Sequence, residues 1–116
     1  MEVKNDRFTQ KHTKVYCEDE WKYNAPHHFN VETAEGNHPL CHIDFQEGPI
    51  KEVGVNGVTN EDLLLMVLSR LEAFQHSEYR SDENAEAIQC INEAMYALSK
   101  RTISREIREV EGTSAI

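Results

Sequence analysis

From His27 to Thr33, and again from Leu40 to Gln46, apolar and polar positions alternate: Phe29 and Val31 share one face, and Cys41, Ile43 and Phe45 share another. Successive side chains of a strand point to opposite faces, so this alternation predicts a β-hairpin over about residues 27–46. Glu35-Gly36-Asn37-His38-Pro39 supplies its four- or five-residue loop. The following stretch, 48–57, holds three glycines and a proline. It reads as a shaped connector without regular structure, expected to cover one end of a site. The first 25 residues show no period strong enough to assign an element.

Beyond the connector the pattern changes to a helical one. Thr59-Asn60-Glu61-Asp62 is a helix start, because the threonine hydroxyl can take an orphan amide hydrogen and the acids complement the positive end of the dipole. Leu64, Val67, Leu71 and Phe74 then follow i, i+3, i+7, i+10, and Leu63, Leu65, Met66 and Leu68 make the first turns apolar nearly all round. A helix over about 60–79, buried on more than one side, is predicted. Ser81 can cap a second helix over about 82–108, close to 40 Å long at about 1.5 Å per residue. Its apolar stripe is Ile88, Ile91, Met95 and Leu98, beside a stripe of small residues, Ala87, Cys90, Ala94 and Ala97. A chain of 116 residues cannot cover such a helix alone, so part of it is expected to meet another subunit.

Composition narrows the function. The length is one domain's worth, and the net charge of -9 disfavours a general nucleic-acid binder. The longest apolar run, Leu63 to Leu68, is far short of the about 20 residues that span a bilayer. The amino terminus has no apolar segment of a secretory signal, and Cys17, Cys41 and Cys90 are odd in number and widely spaced. Reduced thiols in a cytoplasmic protein are expected.

The charge is unevenly distributed. Residues 59–98 carry two basic and eight acidic side chains, a net of -6, whereas residues 99–116 carry four basic and three acidic, a net of +1. Arg101, Arg105 and Arg108 continue the small-residue stripe, so three like charges share one side of a helix. Either an anionic, phosphorylated ligand occupies the gap, or the arginines pair with Glu106, Glu109, Glu111 or a neighbouring subunit's acids. Asn84 lies in line with the apolar stripe near the helix start, where it could bind a ligand's polar edge or satisfy a local backbone group. Phe74, at the end of the first helix, could pack as core or stack on a nucleobase.

Six histidines raise a metal hypothesis, with His38, Cys41 and His42 close together and His27 and His28 across the hairpin. His38-x-x-Cys41-His42 straddles a turn and a strand whose adjacent residues face opposite ways, so surface histidines are the better reading. No phosphate loop, nucleophile elbow or His-Glu-x-x-His motif is present. No catalytic residue, metal or cofactor is expected.

From Ile43 to Thr113 the chain resembles the phage Thoeris anti-defence sponge family, the first type described, which shares its helical hairpin with anti-CBASS sponges. The resemblance rests on Phe45-Gln46-Glu47-Gly48-Pro49-Ile50-Lys51-Glu52, on Gly54-Val55-Asn56-Gly57-Val58-Thr59-Asn60-Glu61-Asp62-Leu63, and on Arg70-Leu71 with Phe74-Gln75. Glu83-Asn84, Lys100-Arg101-Thr102, Arg105, Arg108 and Val110-Glu111-Gly112-Thr113 complete it. Two departures stand out: Glu109 where glycine is expected, and Ser81-Asp82 where cysteine and an acid are usual. The first 40 residues show no resemblance.

The resemblance implies an α+β protein: a small antiparallel sheet (hairpin about 27–46) packed on an antiparallel two-helix hairpin (about 60–79 and 82–108), one sponge domain over 1–116. It implies a dimer or hexamer in the host cytoplasm that sequesters glycocyclic ADP-ribose, the messenger of TIR-domain defence proteins, without cleaving it. Phe74 would stack on the adenine, Asn84 would hydrogen-bond the ligand, and Arg101 and Arg105 would hold the pyrophosphate, with Arg108 beside them. Cyclic di- or trinucleotides, alone or in addition, are the alternative ligands. A nucleotide-degrading enzyme and an acidic mimic of DNA are the rivals from other classes.

Overall fold

The computed structural model describes residues 1–8 and 10–107, the last three of them in backbone alone. The chain divides into two compact units, Met1–Val58 and Thr59–Ile116. The first unit is a four-stranded antiparallel sheet in sequential order, β1 (Glu2–Val3), β2 (Thr13–Cys17), β3 (His28–Thr33) and β4 (Pro39–Asp44). The expected hairpin is therefore present as β3 and β4, and its loop closes with Gly36 at φ 79, a left-handed conformation that favours glycine. The unassigned amino terminus supplies the other two strands.

Register sorts the sheet into two faces. Val15 pairs with Val31, Cys17 with Phe29, Val31 with Cys41 and Phe29 with Ile43, so the apolar positions of three strands fall on one side. Phe45 meets Phe29 edge to face at 5.5 Å. On the opposite side His28 pairs with Asp44 and Asn30 with His42. The irregular stretch between β2 and β3 is held by the Glu18 carboxylate, which accepts from the backbone N–H of His27 (2.6 Å) and of His28 (3.3 Å). The His27 N–H, before any other influence, holds the Glu18 carboxyl below its usual range.

The connector contains one helical turn, α1 (Ile50–Val53), which the glycine and proline content had hidden. Gly54, at φ 77, ends it and donates its N–H to Ile50. Gln46 and Asn56 then stitch the connector together. The Gln46 amide donates to the carbonyls of Gly48 (3.1 Å) and Gly54 (2.8 Å) and accepts from the Asn56 N–H (3.0 Å). The Asn56 side chain accepts from the Glu47 N–H at 2.8 Å and donates to its carbonyl at 2.7 Å.

The second unit is a helical hairpin of α2 (Asn60–Gln75) and α3 (Asp82–Ile107). Thr59 caps α2 as expected, and with Asp62 it forms a reciprocal capping box. The helix stops at Gln75, short of the expected Tyr79. No glycine or proline marks that end; polar side chains do. Ser77 donates its hydroxyl to the Phe74 carbonyl at 2.6 Å and accepts the Tyr79 N–H at 3.1 Å, turning the chain away. Gln75 donates to the Ser81 carbonyl (3.0 Å) and accepts the Ser81 N–H (3.1 Å), tying the two helix ends together.

Burial corrects the predicted inner stripe of α2. Leu68 is buried and Leu64 and Leu71 are half-buried, whereas Val67 and Phe74 are exposed, with Leu65 and Met66. On α3 the half-buried positions include Ile88, Ile91, Met95 and Leu98, the stripe read from the sequence. Leu68 is the one buried apolar side chain among the described residues of this unit. Leu68→Ala is expected to destabilise the hairpin by about 3 kcal/mol, read as a lower urea midpoint of the helical circular-dichroism signal. No helix among the described residues is long and apolar enough to cross a membrane. Cys17, Cys41 and Cys90 are unpaired thiols.

Candidate functional site

The turn between α2 and α3 places Phe74 and Asn84 at one end of the hairpin. Phe74 ends α2 with its ring 39% exposed, which removes it from the core. The Arg70 guanidinium, one turn earlier, lies 5.2 Å from that ring's centroid. Spacing left Arg70 unremarked, although its i, i+4 relation to Phe74 was the available signal. Asn84 is half-buried in the first turn of α3. Its backbone N–H donates to the Ser81 hydroxyl at 3.0 Å, so Ser81 is the helix cap. The Asn84 side chain is not needed to satisfy the helix terminus, and among the described residues it has no hydrogen-bond partner.

The basic residues lie elsewhere. α3 has 26 residues and α2 has 16, so the last turns of α3 extend past the length of its partner helix. Arg101 and Arg105 are on that extension. Arg101 is exposed and makes no ion pair with a described acidic side chain. Lys100, beside it, sits over the Tyr96 ring at 4.8 Å. Arg105 is helical in backbone; Arg108, and with it Glu109 and the arm to 116, lies outside the described residues. One continuous helix separates Asn84 from Arg101 by about 25 Å at about 1.5 Å per residue. Phe74 and Asn84 thus lie at the same end of the hairpin, and Arg101 is not brought to that end within one chain.

The histidines divide differently from the spacing argument. His27 is buried, with Nε2 2.6 Å from the Lys22 carbonyl, and Cys41 and His38 are exposed on or beside β4. His28, His42 and Asp44 converge instead, with their ligating atoms all within 4.8 Å of one another. Asp44 Oδ1 lies 2.7 Å from both His28 Nδ1 and His42 Nε2. Contact with Asp44, and then with Glu47, holds the His28 imidazole above its usual pKa, and His28 in turn holds the Asp44 carboxyl below its own. His42 and Asp44 are two apart on β4 and His28 faces them across the ladder, which single-strand spacing cannot reveal.

A four-stranded antiparallel sheet and a capped two-helix hairpin define an α+β protein whose most recognisable module is the hairpin. Residues 37–102 match the family model described as the Acb2/Tad1 hairpin domain. A curated relative, "Thoeris anti-defense 1" of Bacillus phage SBSphiJ7, is 42% identical over 137 aligned positions, covering 97% of this chain and 96% of the relative. The chain therefore belongs to the Thoeris anti-defence sponge family. That alignment takes in the amino-terminal sheet, so the kinship extends well beyond the 43–113 stretch that carried the resemblance.

Proposed function

We propose that this protein acts as a single unit in the host cytoplasm and sequesters glycocyclic ADP-ribose, intact, in sites shared between two copies. The observation that carries the shared site is the separation along α3: Asn84, with Phe74, lies about 25 Å from Arg101, too far for one small nucleotide to touch both. Antiparallel packing of α3 from two copies joins one copy's Phe74 and Asn84 to the other's Arg101, Arg105 and Arg108 under a two-fold axis. The exposed Leu65, Met66, Val67 and Tyr96, and the small residues Cys90, Ala94 and Ala97, give the hairpin surface to bury in such an assembly.

In each site the Phe74 ring offers a stacking face for the adenine, the Asn84 amide offers a donor and an acceptor, and the arginines offer fork-shaped donors to the pyrophosphate. Capture without turnover fits a site that holds stacking, amide and guanidinium groups and, among the described residues, no nucleophile paired with a base. The test is to mix the protein with glycocyclic ADP-ribose, filter, heat-denature the retained protein and identify the released compound by mass spectrometry. Intact messenger near one equivalent per composite site is expected. Messenger that passes through unbound removes this ligand assignment, and cleaved messenger makes the protein an enzyme.

A further inference from the structure

We propose that His28, His42 and Asp44 form a zinc site on the polar face of the β3–β4 hairpin, closed by water as the fourth ligand. The ladder builds the patch: His28 faces Asp44 and Asn30 faces His42, so four polar side chains make a square on one side of the sheet. His28 Nε2 is 3.2 Å from Glu47 Oε1, and His42 Nδ1 is 2.7 Å from Asn30 Oδ1. Each ring thus turns one nitrogen outward to an acceptor and the other inward to Asp44 Oδ1, at 2.7 Å in both cases.

A neutral imidazole has one N–H. If each ring gives it to its outer acceptor, two nitrogen lone pairs and a carboxylate oxygen point at one another with nothing positive between them. Two further protons, or one divalent cation, satisfy that arrangement. The outer contacts to Glu47 and Asn30 are those that orient metal-bound histidines, fixing the tautomer and the ring plane. Two imidazoles and a carboxylate, with no thiolate, suit Zn²⁺ at about 2.0–2.1 Å per bond. A tetrahedron of such bonds spaces its donor atoms about 3.3 Å apart, so seating the ion requires each nitrogen to move less than about 1 Å away from Asp44 Oδ1, now at 2.7 Å, with the three donor atoms already within 4.8 Å of one another.

All three ligands are open to solvent, His28 least and His42 most, so the ion has an entry path. β4 is an edge strand, and Glu47 lies at the head of the connector, so zinc would clamp the last two strands to that segment. This unit buries few side chains, and small units with modest cores gain most from a metal staple.

The test uses the full chain, stripped with a chelator and titrated with Zn²⁺ against a chromophoric indicator, with metal content measured after gel filtration. One zinc per chain is expected, with a thermal midpoint that rises until one equivalent is added. Asp44→Asn and His42→Gln, both exposed changes on an edge strand, are expected to weaken binding more than about 100-fold, and Asn30→Ala, which removes only an orienting contact, by about 10- to 100-fold. Absence of zinc from the wild-type chain, or zinc held equally well by Asp44→Asn and His42→Gln, overturns the site.

Discussion

Arg101→Ala is expected to raise the Kd for the messenger at least about 100-fold, with circular dichroism and gel-filtration volume unchanged. A guanidinium that donates two charge-assisted hydrogen bonds to a pyrophosphate is worth about 3 kcal/mol or more, and each 1.4 kcal/mol is tenfold. Arg101 is exposed at the extended end of α3, so its loss removes no core contact. Asn84→Ala is expected to cost about 10- to 100-fold, the scale of one or two hydrogen bonds to a desolvated polar edge. Arg101→Lys retains charge but loses the planar fork, and should fall between wild type and alanine.

The proposed shared site has a sharper signature than either variant alone. When Asn84→Ala and Arg101→Ala chains are mixed and allowed to exchange, each mixed dimer contains one site with both residues missing and one that is wild type. About a quarter of all sites should then bind at wild-type affinity for freely reassorting dimers. Recovery of none by calorimetry would mean that Asn84 and Arg101 act within one chain. Unchanged affinity in both single variants would remove the residues from the site.

Gly57→Ala is the substitution expected to damage the fold most. A Cβ there would lie 2.4 Å from the Phe45 carbonyl carbon, 2.5 Å from its oxygen and 2.6 Å from the Asp44 carbonyl oxygen. These are backbone atoms at the end of β4 and cannot rotate away. Next door, the Val58 N–H donates to the Asp44 carbonyl and the Val58 carbonyl accepts the Gln46 N–H, both at 2.9 Å, in the bridge that pairs Phe45 with Val58. Forcing the segments apart strains or breaks both bonds, a loss of about 3–5 kcal/mol when overpacking and hydrogen bonding are taken together.

That is a large share of the about 5–15 kcal/mol that holds a domain folded. Gly54→Ala is the control. Gly54 is at φ 77 and ψ -178, an extended positive-φ conformation kept essentially to glycine, but a Cβ there meets nothing within 4 Å, so only a backbone cost of about 1–3 kcal/mol applies. Urea titration of both variants should rank Gly57→Ala as much the less stable; equal midpoints would show that the Phe45–Val58 bridge is dispensable.

Local patterns were legible wherever one segment carried its own reason. The alternation at 27–46, the Thr59 cap with Asp62 and the Ser81 cap all depend on residues within a few positions of one another, and all are present. The connector motif was legible as a motif but not as a mechanism, because Gln46 and Asn56 act on each other across a loop. β1 and β2 gave no signal: two residues are too few for a period, and Thr13–Cys17 is half-buried or buried throughout, so it does not alternate.

Kinship to a sponge family, the helical hairpin and the segregated arginines followed from the chain alone, since helical periodicity, caps and charge are properties of nearby residues. Three matters were decided by tertiary structure. Helix α2 ends at Gln75 because its side chain and Ser77 redirect the backbone, not because any residue there resists helix formation. Phe74 faces solvent because Leu68 sits on the inner side of the hairpin, a choice between two apolar faces that periodicity left open. His28 meets His42 and Asp44 because the β3–β4 register sets them opposite one another, and register arises from the pairing of two strands, not from the residues of either.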